Sequence, residues 1–288
     1  MELTRESTAI VLDSTSDFLD AYERHVNMRI VPLYVLFDGV PSRDHVDMAP
    51  AEFYERLAAS TTLPTTSQPT PDDFLACYRE LQDAGYHRIW SLHISAKLSG
   101  TFESARRAAD ELGGGVVRVV DTGTASLACA LLAEAIDRRL AKGTTDDEVE
   151  KLIARFEGSN RVVFTTATLE YLQRGGRIGK AQALAGSLLN VKPILELRDG
   201  VVEPVGRVRG RQKALEEFAR LFTEDTEDRE GLHTAIAHAN APEWVEVLTD
   251  LVAKTRPKAT VDLVQLLGAV VGTHAGPGAV GFFWFQDS

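Results

Sequence analysis

Long apolar runs are missing from this chain: no window approaches the roughly 18 uncharged apolar residues of a membrane-spanning helix. The stretch Met1 to Thr8 holds Glu2, Arg5 and Glu6 without an apolar core, so no secretory signal is expected and the cytoplasm is the expected location. Cysteine is scarce as well. Cys77 and Cys129 lie in apolar, helix-like patterns without metal-ligand spacing, and each is expected to fill core space. There is no tandem repeat and no low-complexity tract. No G-x-G-x-x-G follows the first apolar strand, and no G-x-S-x-G nucleophile elbow occurs. Gly175-Gly-Arg-Ile-Gly-Lys180 has the wrong glycine-to-lysine spacing for a phosphate loop, and Ala181 stands where Ser or Thr must ligate magnesium. A net charge of −11 and a pI near 5.2 argue against nucleic-acid binding by the surface as a whole.

What is present is an ordinary soluble composition over 288 residues, a length that suggests about two domains. Apolar runs alternate with helix-periodic segments. Ala9–Leu12, Met28–Phe37, Arg88–Ile94 and Val116–Asp121 read as strands, with helices over 49–60, 72–84, 102–112, 125–141 and 145–156. That β-α alternation predicts an α/β fold whose N-terminal part is a Rossmann-like, mainly parallel sheet covered by helices. Ligands on such sheets gather at the carboxyl ends of the strands, where Asp13, Ser95 and Asp121 fall. A second α/β set begins at Arg161. Short helices are expected over 169–174 and 180–188, a hairpin at Asp199-Gly200, a helix over 212–222, a loop over 224–230, and a glycine-rich turn region over 268–281. The expected domains are residues 1–160 and 161–288.

Three features point to chemistry. Between Arg174 and Lys213, nine Lys/Arg stand against three acids, a local +6 that leaves −17 on the rest of the chain. Such a cationic island attracts an anion or an acidic partner surface. Arg177 and Arg209 sit beside glycines, which lets the backbone present them from shaped turns. The segment Thr61–Pro71 is a proline-stiffened loop that offers Thr65, Thr66, Ser67 and Gln68 as hydrogen-bonding groups. Ser95 and Ser99 flank a strand-to-helix turn, a natural place for an oxyanion. His274 lies among glycines in Thr273-His-Ala-Gly-Pro-Gly278, where it could donate to a carboxylate. The helices over 131–136 and 184–189 could line an adjoining cavity. Asp13 and Asp17 could bind a metal, but capping of a turn fits them better. A triad of Ser99, His274 and Asp121 could also be composed, which keeps an esterase or thioesterase as a second reading.

Taken in order, Asp13-Ser-Thr-Ser-Asp17, Thr66-Ser-Gln-Pro69, Ile94-Ser-Ala-Lys-Leu-Ser-Gly-Thr101, Thr168 to Ile178, Leu188 to Ile194, Val208-Arg-Gly210 and His274 to Gly278 resemble the DegV family over nearly the whole chain. The resemblance implies a two-domain α/β fold with a long-chain fatty acid in a tunnel between the domains. It implies a carrier with no catalysis of its own and no cofactor or metal beyond the bound fatty acid. The partner it implies is the separate ATP-dependent kinase subunit of a bacterial fatty acid kinase, which makes an acyl phosphate for phospholipid synthesis. Nucleic acid is not an expected partner, and membrane contact is at most transient. Carried over by position, Thr66 or Thr65 and Ser95 or Ser99 would hold the carboxylate, and His274 would complete the site. Arg177 and Arg209 would contact the phosphoryl group or the partner. The local Ala96-Lys97 departs from the family pattern, which leaves the relative roles of Ser95 and Ser99 open.

Overall fold

The computed structural model describes residues 2–184 and 191–287. In chain order its strands are β1 (Thr8–Asp13), β2 (Met28–Val31), β3 (Tyr34–Phe37), β4 (Val40–Arg43), β5 (Thr65–Ser67), β6 (Arg88–His93), β7 (Val117–Asp121), β8 (Arg161–Thr165), β9 (Lys192–Arg198), β10 (Val201–Val208), β11 (Leu232–His238), β12 (Thr260–Leu266) and β13 (Val280–Gln286). The helices are α1 (Ala21–Arg24), α2 (Pro50–Ala59), α3 (Pro71–Asp83), α4 (Thr101–Leu112), α5 (Leu127–Leu140), α6 (Asp146–Ser159), α7 (Glu170–Arg174), α8 (Gly210–Asp225), α9 (Glu243–Thr255) and α10 (Ala269–Ala275).

A wholly parallel sheet, β2-β1-β6-β7, forms the N-terminal part, and a mixed six-stranded sheet, β10-β9-β8-β13-β11-β12, the C-terminal part. Side chains alternate across each sheet as the two-residue period requires. On β1, Ala9 and Val11 pack under α3 and α4, whereas Ile10 and Leu12 join the core around α5. On β13, Phe282 and Trp284 pack with Phe218 and Phe222 of α8 and Trp244 of α9, whereas Phe283 and Phe285 face the same α5 core. Helix α5 therefore lies between the two sheets, against β1 and β6 on one side and β11 and β13 on the other. Every residue from Leu127 to Asp137 is buried, as a helix covered all round must be. Capping boxes at Thr70/Asp73 and Thr145/Glu148 fix where α3 and α6 begin.

The structure differs from expectation in several places. The apolar run Met28–Phe37 is two strands in two sheets, because Pro32 has no N–H to continue the ladder and Leu33 bonds Ser14 Oγ instead. The hydroxyl-rich loop carries β5, which completes a small antiparallel sheet in the order β4-β3-β5. Within the expected glycine-rich turn region lies α10. Gly272 lets this helix press close to α2: a Cβ there would lie 2.7 Å from the Tyr54 hydroxyl and 2.8 Å from the Phe53 ring. Helix α8 runs on into the acidic segment as far as Asp225. The second short helix is a 3-10 turn, Gly179–Leu184, and the rest of the expected element, with residues 185–189 of the expected cavity wall, lies outside the described residues. No helix among the described residues is long and apolar enough to cross a membrane.

Candidate functional site

A cavity of about 390 Å³ opens where the carboxyl ends of the parallel strands meet the α5-facing side of the large sheet. That volume falls in the range of roughly 300–1,000 Å³ typical of small-molecule sites. Its floor is β-sheet: Val162 and Phe164 of β8, Phe283 of β13, Leu197 of β9 and Val202 of β10. These are the alternate residues of each strand, so the period that buries Val163 and Phe282 beneath α8 leaves their neighbours facing the cavity. Val270, Val271 and Ala275 of α10 form a wall, and Ile94 and Leu98 come from the turn after β6.

One end is polar. On β5 Thr66 turns inward while Thr65 is exposed, and Thr66 Oγ1 lies 2.9 Å from His274 Nε2 in the last turn of α10. His274 Nδ1 is buried without a partner among the described residues. A buried unpaired N–H is rarer than an unpaired lone pair, so the proton belongs on Nε2. Thr66 then accepts from His274 and keeps its own hydrogen to donate into the cavity. Arg177 reaches the same end. Its Nε donates to the Leu98 carbonyl (2.9 Å) and its Nη1 to the Gly175 carbonyl (2.7 Å), and no carboxylate pairs with it among the described residues. Ser99 lines this end with its Oγ 2.8 Å from Thr101 Oγ1. Gln68 is held by Nε2 bonds to the Gly100 carbonyl (3.2 Å) and Ser104 Oγ (2.9 Å), so the loop around Thr66 is braced from outside.

Burial, and secondarily the nearby Arg177 charge, lower the His274 pKa to about 4. The ring is therefore neutral at pH 7 and acts as a hydrogen-bond donor. A base with a depressed folded pKa contributes stability above its ordinary value near 6.5 and loses it as pH falls toward 4. By NMR, the His274 Cε1–H resonance is expected to hold its position from pH 8 to 5.5; a titration midpoint above 6 would contradict this environment.

The structure separates the remaining candidates. Ser95 is buried with its Oγ donating to the Gly200 carbonyl (2.9 Å), and Lys97 Nζ donates to the Asp199 carbonyl (2.7 Å), so both fasten the β9–β10 turn. Gly200 is required there, with φ 76° and a Cβ position only 2.3 Å from Ser95 Oγ. Ser95 and Thr65 do not line the cavity, and neither does Arg209, which is exposed ahead of α8. The Ser99, His274 and Asp121 relay is not assembled: His274 bonds Thr66, Ser99 bonds Thr101, and Asp121 Oδ1 accepts from Ala96 N (3.1 Å) and Gly123 N (3.0 Å). Asp13 is occupied by Thr15, His93 and the Ile94 amide. His25, Glu134 and Asp137 come close enough to hold an ion, but Arg24 pairs with Glu134 (2.8 Å) and Arg5 with Asp137, which makes the group an ion-pair network. Two polar cavity residues escaped the sequence reading, Thr15 inside the expected capping turn and Ser126 at the head of α5. Serine at positive φ leaves no sequence signal.

The family model described as "Uncharacterised protein, DegV family COG1307" matches residues 7–287. A DegV domain-containing protein of Streptomyces coelicolor is 40% identical, with 95% of this chain and 96% of the relative aligned. A protein of Thermotoga maritima named "Fatty acid-binding protein" is 34% identical over 95% of this chain and 96% of its own. Among solved structures, a fatty-acid-binding DegV family protein from Thermus thermophilus superposes with a TM-score of 0.90 at 38% identity, covering 97% of this chain and 99% of that one. The Bacillus subtilis DegV, described as a fatty acid binding protein, superposes at 0.88 with 33% identity and coverages of 97% and 99%.

Proposed function

This chain belongs to the DegV family, and from that premise we propose that its cavity holds a long-chain fatty acid. The observation that carries the reading is the pairing of an apolar, sheet-floored cavity with a single end where Thr66, His274, Ser99 and Arg177 meet. Each buried methylene contributes about 0.8 kcal/mol, so the acyl chain supplies most of the affinity. The Thr66 hydroxyl and the Arg177 guanidinium orient and neutralise the carboxylate. Held by one hydroxyl and one guanidinium, the carboxylate keeps an oxygen open, which suits a carrier that presents its ligand to a separate ATP-dependent kinase subunit for acyl phosphate formation. The exposed Arg209 is proposed to contact that partner or the phosphoryl group.

Delipidated protein titrated with palmitate tests the binding. One fatty acid per chain is expected, and Thr66→Val and His274→Ala are each expected to weaken it about tenfold, as the loss of a hydrogen bond to a charged group does. Wild-type affinity in both variants would sink the assigned site, and no uptake by the wild type would sink the carrier reading.

A further inference from the structure

The cavity has a second polar spot, away from Thr66 and His274. Thr15, on the 3-10 turn Ser14–Ser16, and Ser126, just before α5, are buried and line a wall otherwise made of Leu33, Ile94, Ala125 and Val270. The hydrogen of each hydroxyl is directed at a carboxylate behind that wall. Thr15 Oγ1 donates to Asp13, and Ser126 Oγ donates to Asp17. Asp13 also accepts from Thr15 N (3.0 Å), Ile94 N (3.1 Å) and His93 Nδ1 (3.0 Å), and Asp17 accepts from Gly268 N (2.8 Å). A hydroxyl with its hydrogen committed keeps only acceptor lone pairs. Toward the cavity, then, this spot offers acceptance and the Thr66 end offers donation.

Ser126 is held there against its backbone preference. Its φ of 57° and ψ of −143° lie in a region nearly reserved for glycine, which costs an L side chain about 1–3 kcal/mol. Glycine would relieve that strain, so the contribution of serine lies in its hydroxyl. The two polar spots are tied to opposite ends of α10. Asp17, the partner of Ser126, holds Gly268 at the head of α10, and His274 lies six residues on, about 9 Å along a helix axis. An extended chain advances about 1.2 Å per bond, a third of the span of one three-bond residue. The length of α10 between the two spots thus corresponds to about seven or eight bonds of extended chain, which sets the scale for a group near the middle of an acyl chain.

We propose that the cavity is built for an acyl chain bearing a hydroxyl group near its middle, whose hydrogen is donated to Ser126 or Thr15. This rests on the fatty-acid reading above and narrows its ligand class. A plain methylene chain fits the same space and leaves both acceptors unanswered. A ketone at the same carbon sets an acceptor against acceptors.

Stearate, 10-hydroxystearate and 10-oxostearate, titrated into the delipidated full chain, test it. The hydroxy acid is expected to bind about fivefold more tightly than the oxo acid, the worth of one neutral hydrogen bond. In the Thr15→Val/Ser126→Gly double variant, which removes both hydroxyls while easing the backbone at 126, that ratio is expected to fall to one, the readout being the ratio of the two acids within the same variant. Equal binding of hydroxy and oxo acids by the wild type, or a preference that survives in the double variant, overturns the inference and leaves the carrier reading standing. Failure of all three acids to bind overturns both.

Discussion

Gly175→Ala is expected to weaken palmitate binding about a hundredfold while the protein stays folded. Gly175 has φ −72°, a conformation any residue adopts, so no backbone strain enters. The effect is local and steric. A Cβ at this position would sit 2.1 Å from His274 Nδ1 and 2.9 Å from its Cε1, with the Tyr171 carbonyl 3.1 Å away on the other side. The helix carbonyl cannot yield, so the imidazole must swing out and break its bond to Thr66. Overpacking of this kind costs about 1–3 kcal/mol. Stranding the Thr66 hydroxyl and displacing the ring into ligand space adds about 1–3 kcal/mol more on the binding side. Isothermal titration with palmitate reads the loss, and the circular dichroism spectrum is expected to match wild type. Near-wild-type affinity in Gly175→Ala would mean that His274 does not shape the carboxylate end.

The largest stability effect is expected at Asp137. This carboxylate, 1% exposed, is gripped by Arg5 and by His25 Nδ1 at 3.2 Å, while His25 Nε2 bonds Glu134 at 3.1 Å. Burial alone would lower the His25 pKa, but hydrogen bonds to Asp137 and Glu134 overcome it and carry the imidazole up to about 9. Burial likewise works to raise the Asp137 pKa, and the bonds from His25 and Arg5 bring it below its ordinary value. Asp137→Ala leaves a protonated imidazole and a guanidinium facing the cut, and breaking a buried pair from one side costs about 3–5 kcal/mol. A urea midpoint shift is the readout, and a change under 1 kcal/mol would show the pair to be a surface ornament. The pH dependence has a fixed sign. A histidine whose folded pKa is raised contributes fully below the unfolded value near 6.5 and loses that contribution as pH rises through about 9. The midpoint of wild type is therefore expected to fall between pH 6.5 and 9, with a smaller fall in His25→Gln.

The parallel half of the fold was legible because its strands are continuous apolar runs and its helices begin at capping residues. Thr70 and Thr145 both cap as their sequence context implies. What the pattern could not show were elements whose residues are chosen for close approach. Helix α10 is hidden by Gly268, Gly272 and Gly276, each needed to let His45, Tyr54 or Tyr171 come near, and such glycines read as a turn. Strand β5 is hidden because threonines and serine carry its pairing to β3. The pairing of Thr66 with His274 spans 208 positions, beyond any local period, so the two could be grouped only by the chemistry of their side chains and by the family resemblance. Ser95 illustrates what a local pattern leaves out. Its place at a strand-to-helix turn suits an oxyanion, yet a backbone carbonyl from the other sheet takes its hydrogen.

Helix α5 makes the two halves one cooperative unit. Each sheet rests on a different side of the same buried helix, so parting them by a hinge would bare Leu127 to Ile136 to water, at a cost comparable to unfolding. Breathing that admits a ligand must then come from the small elements outside the two large sheets, namely α10, β5 and α7 at the Thr66 end. Such local opening draws on far less free energy than global unfolding. On this architecture the proposed ligand would be threaded through a loosened rim, with the body of the protein staying closed around it.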